Sequence, residues 1–247
     1  MSMPFFFYRR LARWITCEFS LSNTSRISLQ NKYEVASFQD VFCCPFYWQV
    51  FQFVNSPPKL VVDCGAHLGH FSILADICFQ SKFNFANTQY ILVEPNPFLL
   101  PTTKKNISEA GMSHRVELKQ GLLGDKLGDG KLWINHKNYL ATGLDYTEGA
   151  KPVTVPYIDL LKLVGKQAID VLKIDIEGGE FSFVKSNLEL FNQVNLIFME
   201  LHKATKEVHQ ELFTSLQSVG LYLANQPLEV HGQQLLIFQR QPVTNNK

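Results

Sequence analysis

Two stretches of this chain bring carboxylates, a lysine and a histidine together at strand-like spacing. They are Val171-Leu172-Lys173-Ile174-Asp175-Ile176-Glu177-Gly178-Gly179-Glu180 and Phe198-Met199-Glu200-Leu201-His202. Such a set could move a proton at a hydroxyl. Alternation along a strand puts Lys173, Asp175 and Glu177 on one side, provided the strand persists that far. A lysine inside an otherwise apolar run needs a counter-charge, because leaving it buried and unpaired costs several kcal/mol. Asp175, at the carboxyl end of its strand, would point into the crevice where open α/β sheets bind ligands. Glu177 and Glu180 surround a helix start, where negative charge is favoured, and Glu180 reads as a cap or ion-pair partner. Glu200 and His202 share a face and would lie beside Asp175 if the two strands are neighbours. That trio allows a general base, a metal site or both, although a lone histidine is usually structural. The expectation here is catalysis by Asp175, His202, Glu177 and Glu200, with His202 or Asp175 as base, Glu177 and Glu200 orienting or binding substrate hydroxyls, and no protein-bound metal.

Upstream, Leu60-Val61-Val62-Asp63-Cys64-Gly65-Ala66-His67-Leu68-Gly69-His70-Phe71-Ser72 reads as a strand, a glycine turn and a helix start. Glycines there let backbone N–H groups approach a ligand where a Cβ would collide. A dinucleotide pyrophosphate would be repelled by Asp63, and the closely spaced Gly-x-Gly of the dinucleotide fingerprint is absent. Asp63 suits instead a cofactor with a cationic amino group, such as S-adenosylmethionine. The second strand ends Leu92-Val93-Glu94-Pro95-Asn96-Pro97. Glu94 stands where such folds place an acid on ribose hydroxyls, its competing role being to complement the next helix dipole. Gly121-Leu122-Leu123-Gly124-Asp125 could line an adenine slot or be an ordinary glycine turn. Tyr139 and Thr142, in a glycine-rich loop, are weaker candidates for substrate contact. The expected cofactor set is Asp63, Gly65, Ala66, His67, Gly69, Ser72, Glu94, Pro95, Asn96, Gly121, Leu122 and Asp175.

Positioning these residues needs strands alternating with helices. Apolar runs predict strands at 60–64, 90–94, 115–120, 153–155, 169–176 and 195–201. Helical patterns fall at 69–79, 97–110, 157–164, 179–190 and 205–219, with a hairpin-like 131–135 and a closing pair at 221–224 and 234–239. Alternation of this kind implies a parallel sheet with helices on both faces. Nine phenylalanines precede Pro57-Pro58, a stiff break before the first core strand. Residues 1–56 are therefore expected to be an aromatic-rich accessory segment and residues 57–247 the main domain. The accessory segment could pack on the domain, cap the cleft, form a homodimer contact or touch a membrane surface.

A net charge of +1 on 247 residues makes no electrostatic case for a nucleic-acid partner. The five cysteines (Cys17, Cys43, Cys44, Cys64, Cys78) lack zinc-ligand spacing and read as reduced thiols of a cytoplasmic protein. Cys43-Cys44 is expected to be packed core rather than redox chemistry. Phe5-Phe6-Phe7 precedes Arg9, Arg10 and Arg13, the reverse of a secretory signal, and no apolar run is long enough to predict a transmembrane segment.

Taken together, Asp63–Gly69, Glu94-Pro95-Asn96, Leu172–Glu180 and Met199–His202 resemble the FkbM-type S-adenosylmethionine-dependent methyltransferases. The resemblance covers about residues 58–240, and its most specific element is the Lys-x-Asp-x-Glu-Gly-x-Glu block. Tyr157-Ile158-Asp159-Leu160-Leu161 also resembles the family's Leu-Asp-containing segment, with isoleucine for leucine, and Gly179 replaces the usual small residue. The resemblance implies a Rossmann-like class I methyltransferase fold: a seven-stranded, mostly parallel sheet with an antiparallel last strand. It implies a methionine site at Gly65, Ala66, His67 and Gly69, ribose on Glu94, adenine near Leu122, and Asp175 between cofactor and substrate. Members mostly methylate hydroxyl oxygens on sugars, lipid-linked molecules and natural products, so a small-molecule hydroxyl acceptor is expected. A nicotinamide-dependent oxidoreductase and a non-catalytic adaptor on the same fold are the alternatives.

Overall fold

The computed structural model describes residues 16–23, 25–84, 87–135, 142–143, 148–202, 205–230 and 233–241. Phe5–Phe7, Arg9, Arg10, Arg13, Tyr139 and the side chain of Thr142 lie outside what is described. The chain opens with a hairpin, β1 (Cys17–Ser20) and β2 (Arg26–Leu29), then α1 (Lys32–Phe42) and α2 (Pro45–Val50). The strand–helix alternation follows as β3 (Leu60–Cys64), α3 (His70–Phe83), β4 (Gln89–Glu94), α4 (Leu100–Glu109) and β5 (Val116–Gln120). An antiparallel insertion comes next: β6 (Asp129–Ile134), β7 (Thr142–Gly143) and β8 (Lys151–Pro156). The second half is α5 (Leu160–Val164), β9 (Val171–Ile174), α6 (Glu180–Ser186), α7 (Leu188–Phe191), β10 (Leu196–His202) and α8 (Lys206–Ser218). It closes with β11 (Leu221–Leu223), β12 (Leu228–Val230) and β13 (Gln233–Arg240).

The central sheet has the order β11-β13-β10-β9-β3-β4-β5, with β12 attached to β13. Neighbours from β10 through β5 are parallel, and β13 inserts antiparallel between β10 and β11. This is the mostly parallel sheet with an antiparallel last strand that the resemblance implies. The chain runs outward from β3 to β5, then returns to the other side of β3 with β9. The turn after β3 therefore sits at the topological switch point, where such sheets open a crevice.

Strand alternation separates two cores. Val61, Leu92, Val171, Phe198 and Ile237 face one side, packed by α1 to α4. Val62, Val93, Leu172, Ile197 and Phe238 face the other, packed by α5 to α8. α3 is buried along Ile73, Leu74, Ala75 and Phe79 because it is sandwiched between the sheet and α1. An apolar surface all round a helix requires cover on every side.

The aromatic N-terminal segment supplies that cover. Phe46, Tyr47, Val50 and Phe51 share one core with the sheet, Phe71 stacking on Phe198 at 5.7 Å and Tyr47 meeting Phe198 edge-on at 4.9 Å. Each fully buried aromatic of this kind contributes roughly 2–3 kcal/mol. α1 begins with a reciprocal cap: Asn31 Oδ1 accepts from the N–H groups of Tyr33 and Glu34, and Glu34 Oε2 accepts from Gln30 N–H at 2.6 Å. Glu109 of α4 accepts from Ser28 N–H at 2.8 Å, fastening the hairpin to the domain.

Several boundaries differ from the sequence expectation. β9 ends at Ile174, because Glu177 takes a left-handed φ of 55° and the chain turns before Asp175–Glu177 can continue a strand. The second helix starts at Leu100, the preceding turn being held by Asn96 Oδ1 accepting from Phe98 N–H. The helix expected at 179–190 breaks at Asn187. Tyr157 bridges to Leu122 instead of joining a helix. Cys43 is exposed, which corrects the packed-core expectation for it, while the half-buried Cys44 packs against the core; all five cysteines are free thiols.

Candidate active site

A cavity of about 670 Å³ opens at the carboxyl ends of β3, β4, β9 and β10. Its wall takes Gly65, Ala66 and His67 from the turn after β3, Glu94 and Pro95 from the end of β4, and Gly121 and Leu122 after β5. Lys173, Asp175, Glu177 and Glu200 form the charged part, and Ser37, Asp40 and Tyr47 come from α1 and α2.

The glycine turn is dictated by contact. Gly65 has φ +77°, and a Cβ on it would stand 1.7 Å from the Asp175 carbonyl oxygen. The turn after β3 thus lies directly against the turn after β9. His67 N–H donates to Glu94 Oε2 at 2.7 Å, and Asn96 N–H donates to Glu94 Oε1 at 2.8 Å. Burial outweighs these two bonds and raises the Glu94 carboxyl to about 7. Ser37 Oγ lies 3.0 Å from Nδ1 of both His67 and His70. Burial pushes these imidazoles down to about 4 and about 3, so both are neutral near pH 7.

Lys173 is the electrostatic pivot. Register pairs it with Asp63 across β3 and β9. Its Nζ lies 3.5 Å from Asp63 Oδ1 and donates to Asp175 Oδ2 at 3.0 Å and to the Gly65 carbonyl at 2.8 Å. Burial alone would lower its pKa, but Asp175, Asp63 and Glu200 overcome that and raise it. The lysine therefore stays an ammonium ion and ties both turns together.

Register also sets Glu200 of β10 beside Asp175, one step beyond the Met199–Ile174 pair. Glu200 Oε1 accepts a hydrogen bond from the Tyr47 hydroxyl. Burial first, and the Asp175 charge second, lift the Glu200 carboxyl to about 7. A carboxyl so poised can take a proton near neutral pH.

His202 is differently placed. Its Nδ1 lies 2.9 Å from Glu180 Oε1, and its Nε2 lies 3.6 Å from Glu177 Oε2 and 4.0 Å from Asp175 Oδ1. Gln233 Nε2 is 2.8 Å from that same Nε2. Burial disfavours the charged ring, but Glu180, Asp175 and Glu177 together raise it to about 9. Its carboxylate neighbours thus favour the imidazolium form near neutral pH, which weighs against the role of base expected for it.

The expected site residues therefore divide. Gly65, Ala66, His67, Glu94, Pro95, Gly121, Leu122, Asp175, Glu177 and Glu200 converge on the cavity. Asp63, Gly69, Ser72 and Asn96 stand behind its wall. Asp63 is fully buried, accepting from Ser72 Oγ at 2.7 Å, so it balances Lys173 rather than facing a ligand. Gly69 supplies the left-handed residue preceding α3, and Asn96 holds the turn after β4.

Two residues with a part in the site were missed. Glu180 was legible as the last acid of the block but reads locally as a cap: its Oε1 does accept from the N–H groups of Ile176 and Gly178 while contacting His202. Tyr47 gave only a weak signal, a polar-tipped aromatic within an apolar run.

Asp175, Glu200 and His202 each bring one ligand atom within 4.8 Å of the others. The Lys173 ammonium already sits on Asp175 and would compete with a cation for that trio. A methyl donor of the S-adenosylmethionine kind fits better. The volume lies in the range of small-molecule sites, the glycine turn brings backbone to the wall, and Glu94 offers a buried carboxylate for hydroxyl donors.

No curated protein matches the chain. Among solved structures it is similar to the precorrin-6y C5,15-methyltransferase from Geobacter metallireducens, at 12% identity and TM-score 0.48, covering 79% of this chain and 88% of that one. It is also similar to the ribosomal protein L11 methylase from Lactobacillus delbrueckii subsp. bulgaricus, at 10% identity and TM-score 0.49, covering 80% and 77%. A third is TrmK of M. capricolum bound to S-adenosyl-homocysteine, at 11% identity and TM-score 0.45, covering 78% and 67%. The methyltransferase FkbM domain matches residues 63–221, a span holding the glycine turn, Glu94, the Asp175 block and the β10 carboxylate. Matched over that much of its length, the chain belongs to the FkbM methyltransferase family, whose methyl donor is S-adenosylmethionine.

Proposed function

We propose that this protein transfers a methyl group from S-adenosylmethionine to a hydroxyl oxygen of a small, uncharged or cationic polyhydroxylated acceptor, such as a sugar. The observation that carries the reading is the place of Glu200, a buried carboxyl on the cavity wall beside Asp175 and the Tyr47 hydroxyl, where burial lifts it to about 7. A neutral amine needs no base to attack a methyl group, whereas an alcohol must lose its proton as the new bond forms. A poised carboxyl therefore favours oxygen as the acceptor atom.

When bound, S-adenosylmethionine supplies an electrophilic methyl carbon on a sulfonium that leaves as a neutral thioether. Gly65, Ala66 and His67 would hold its methionine part, Glu94 its ribose, and Gly121 with Leu122 its adenine. Asp175 orients the acceptor hydroxyl and Glu200 takes its proton. Lys173 keeps the two turns in register. Holding the reactants aligned is the larger share of the work in such a transfer. In this reading residues 57–247 form the methyltransferase domain, and the preceding segment walls the acceptor side.

Among the described residues the wall holds the carboxyls of Asp40, Glu94, Asp175, Glu177 and Glu200 and one lysine, Lys173, with Glu94 and Glu200 partly protonated near pH 7. A phosphodiester would meet repulsion there, which supports a small acceptor over a nucleic acid. Among the described residues no helix is long and apolar enough to cross a membrane.

The test has two stages. S-adenosylhomocysteine should raise the melting temperature and NADH should not. Purified protein with methyl-labelled S-adenosylmethionine is then offered sugars, sugar alcohols, primary amines and a transfer RNA. Label on a hydroxyl compound supports the reading; label confined to amines or RNA, or stabilisation by NADH alone, refutes it.

A further inference from the structure

We propose that Tyr47, from the N-terminal segment outside the family match, is a positioning residue that holds Glu200 in its proton-accepting form and so makes that segment part of the active site. The inference rests on the functional reading above and deepens it.

The geometry is specific. Glu200 lies on the sheet face covered by α2 and α3, and Tyr47 of α2 is the residue whose polar tip reaches it. The ring is buried, packed against Phe71 and Phe198, so the hydroxyl is held without freedom to swing away. Burial, together with the Glu200 and Asp175 charges, raises the phenol well above its usual value, so it can only donate to Glu200. One carboxylate oxygen, Oε1, is thereby taken. The other is left for the acceptor hydroxyl, whose proton moves to it as the oxygen gains the methyl group.

The remaining groups around Glu200 set opposite pulls. Asp175 and burial favour the protonated acid; Lys173 and His202 favour the carboxylate, and so does the Tyr47 hydrogen bond. From β13 the residue paired with Glu200 is Leu235, which adds no charge. Tyr47 is the neutral member of this set, so replacing it changes the hydrogen bond without changing the net charge. The residue lies outside 63–221, where a family comparison gives no reason to look.

The test is Tyr47→Phe, which keeps the ring packing. With glutamate labelled at its carboxyl carbon, the resonance lost in Glu200→Gln identifies Glu200, and its titration midpoint is read in both proteins. The midpoint should move up by about one pH unit in Tyr47→Phe, the size expected for losing a hydrogen bond to a charged acceptor. The acid limb of the methyl-transfer rate, measured with the acceptor identified above, should move by the same amount in the same direction. Stabilisation by S-adenosylhomocysteine should be unchanged. Glu200→Gln combined with Tyr47→Phe should show no further shift of the limb. An unmoved midpoint, or a uniform drop in rate with an unmoved limb, overturns the proposal. Failure of every hydroxyl acceptor in the panel would sink the functional reading instead, and the carboxyl titration would still decide the Tyr47 contact.

Discussion

Replacing His202 by glutamine tests whether this ring is a cation held by carboxylates or a base waiting for a proton. In the folded protein Glu180 contacts Nδ1 at 2.9 Å, while Glu177 and Asp175 flank Nε2 at 3.6 and 4.0 Å. These charges overcome burial and raise the ring from 6.5 to about 9. A histidine whose folded value exceeds its unfolded value adds stability that is fully present below the unfolded pKa and lost as pH rises through the folded one. The window here runs from about pH 6.5 to about pH 9. At about 1.4 kcal/mol for each tenfold change in proton affinity, the ceiling is roughly 3 kcal/mol. The Glu177 side chain is 60% exposed and its pull is screened by solvent, which brings the expected contribution to about 2 kcal/mol. Urea unfolding of wild type and His202→Gln at about pH 6 and about pH 10 isolates it, because other titrations cancel between the two proteins. The wild-type advantage should be about 2 kcal/mol larger at the lower pH. An advantage equal at both pH values, or an imidazole that titrates near its ordinary value by nitrogen resonance, would refute the electrostatic assignment and return His202 to candidacy as a base.

Two other substitutions probe the frame behind the cavity. Gly65→Ala combines a φ of +77° with a Cβ placed 1.7 Å from the Asp175 carbonyl oxygen, so the turns after β3 and β9 must separate; unfolding free energy should fall by about 3 kcal/mol or more, and a melting temperature equal to wild type would contradict that close approach. Lys173→Met strands Asp63, which is fully buried, and should cost about 3–5 kcal/mol. Neutralising the stranded acid as well, in Lys173→Met with Asp63→Asn, should recover part of that loss in chemical denaturation, and no recovery would mean that Asp63 is not the lysine's counter-ion.

Much of this arrangement was legible because it follows from short-range rules. Strand–helix alternation gave the parallel sheet, and Lys173 in an apolar run demanded counter-charges that Asp63 and Asp175 supply. What could not be read was the direction of the pKa shifts. His202 and Glu200 are two residues apart on one strand, yet one is pushed to hold its proton near pH 7 and the other is poised to exchange one there. The difference comes from Glu180, brought to His202 by the turn after β9, and from the burial of Glu200 beneath α2. Neither is close to them in sequence. Asp63 stands behind the wall for a similar reason: its place near the end of β3 resembles a ligand contact until the register with Lys173 is known.

The phenylalanine-rich segment and the poised carboxyl are two aspects of one arrangement. Asp63, Glu94, Lys173 and Glu200 project from the same face of the sheet as Val61, Leu92, Val171 and Phe198, which is the face the N-terminal segment covers. Without α2 the Glu200 end of that row would be more open to water, and an open carboxylate returns towards its ordinary value. Covered by Phe46, Tyr47 and Phe51, the row is desolvated, and Glu200 rises to about 7. Apolar cover alone would leave Glu200 with no neutral donor and favour its protonated form further. Placing one phenol in that cover moderates the effect and keeps the carboxyl in the range where it can exchange a proton. The segment thus contributes low dielectric and a single hydrogen bond to the site, and shortening it past Tyr47 removes both.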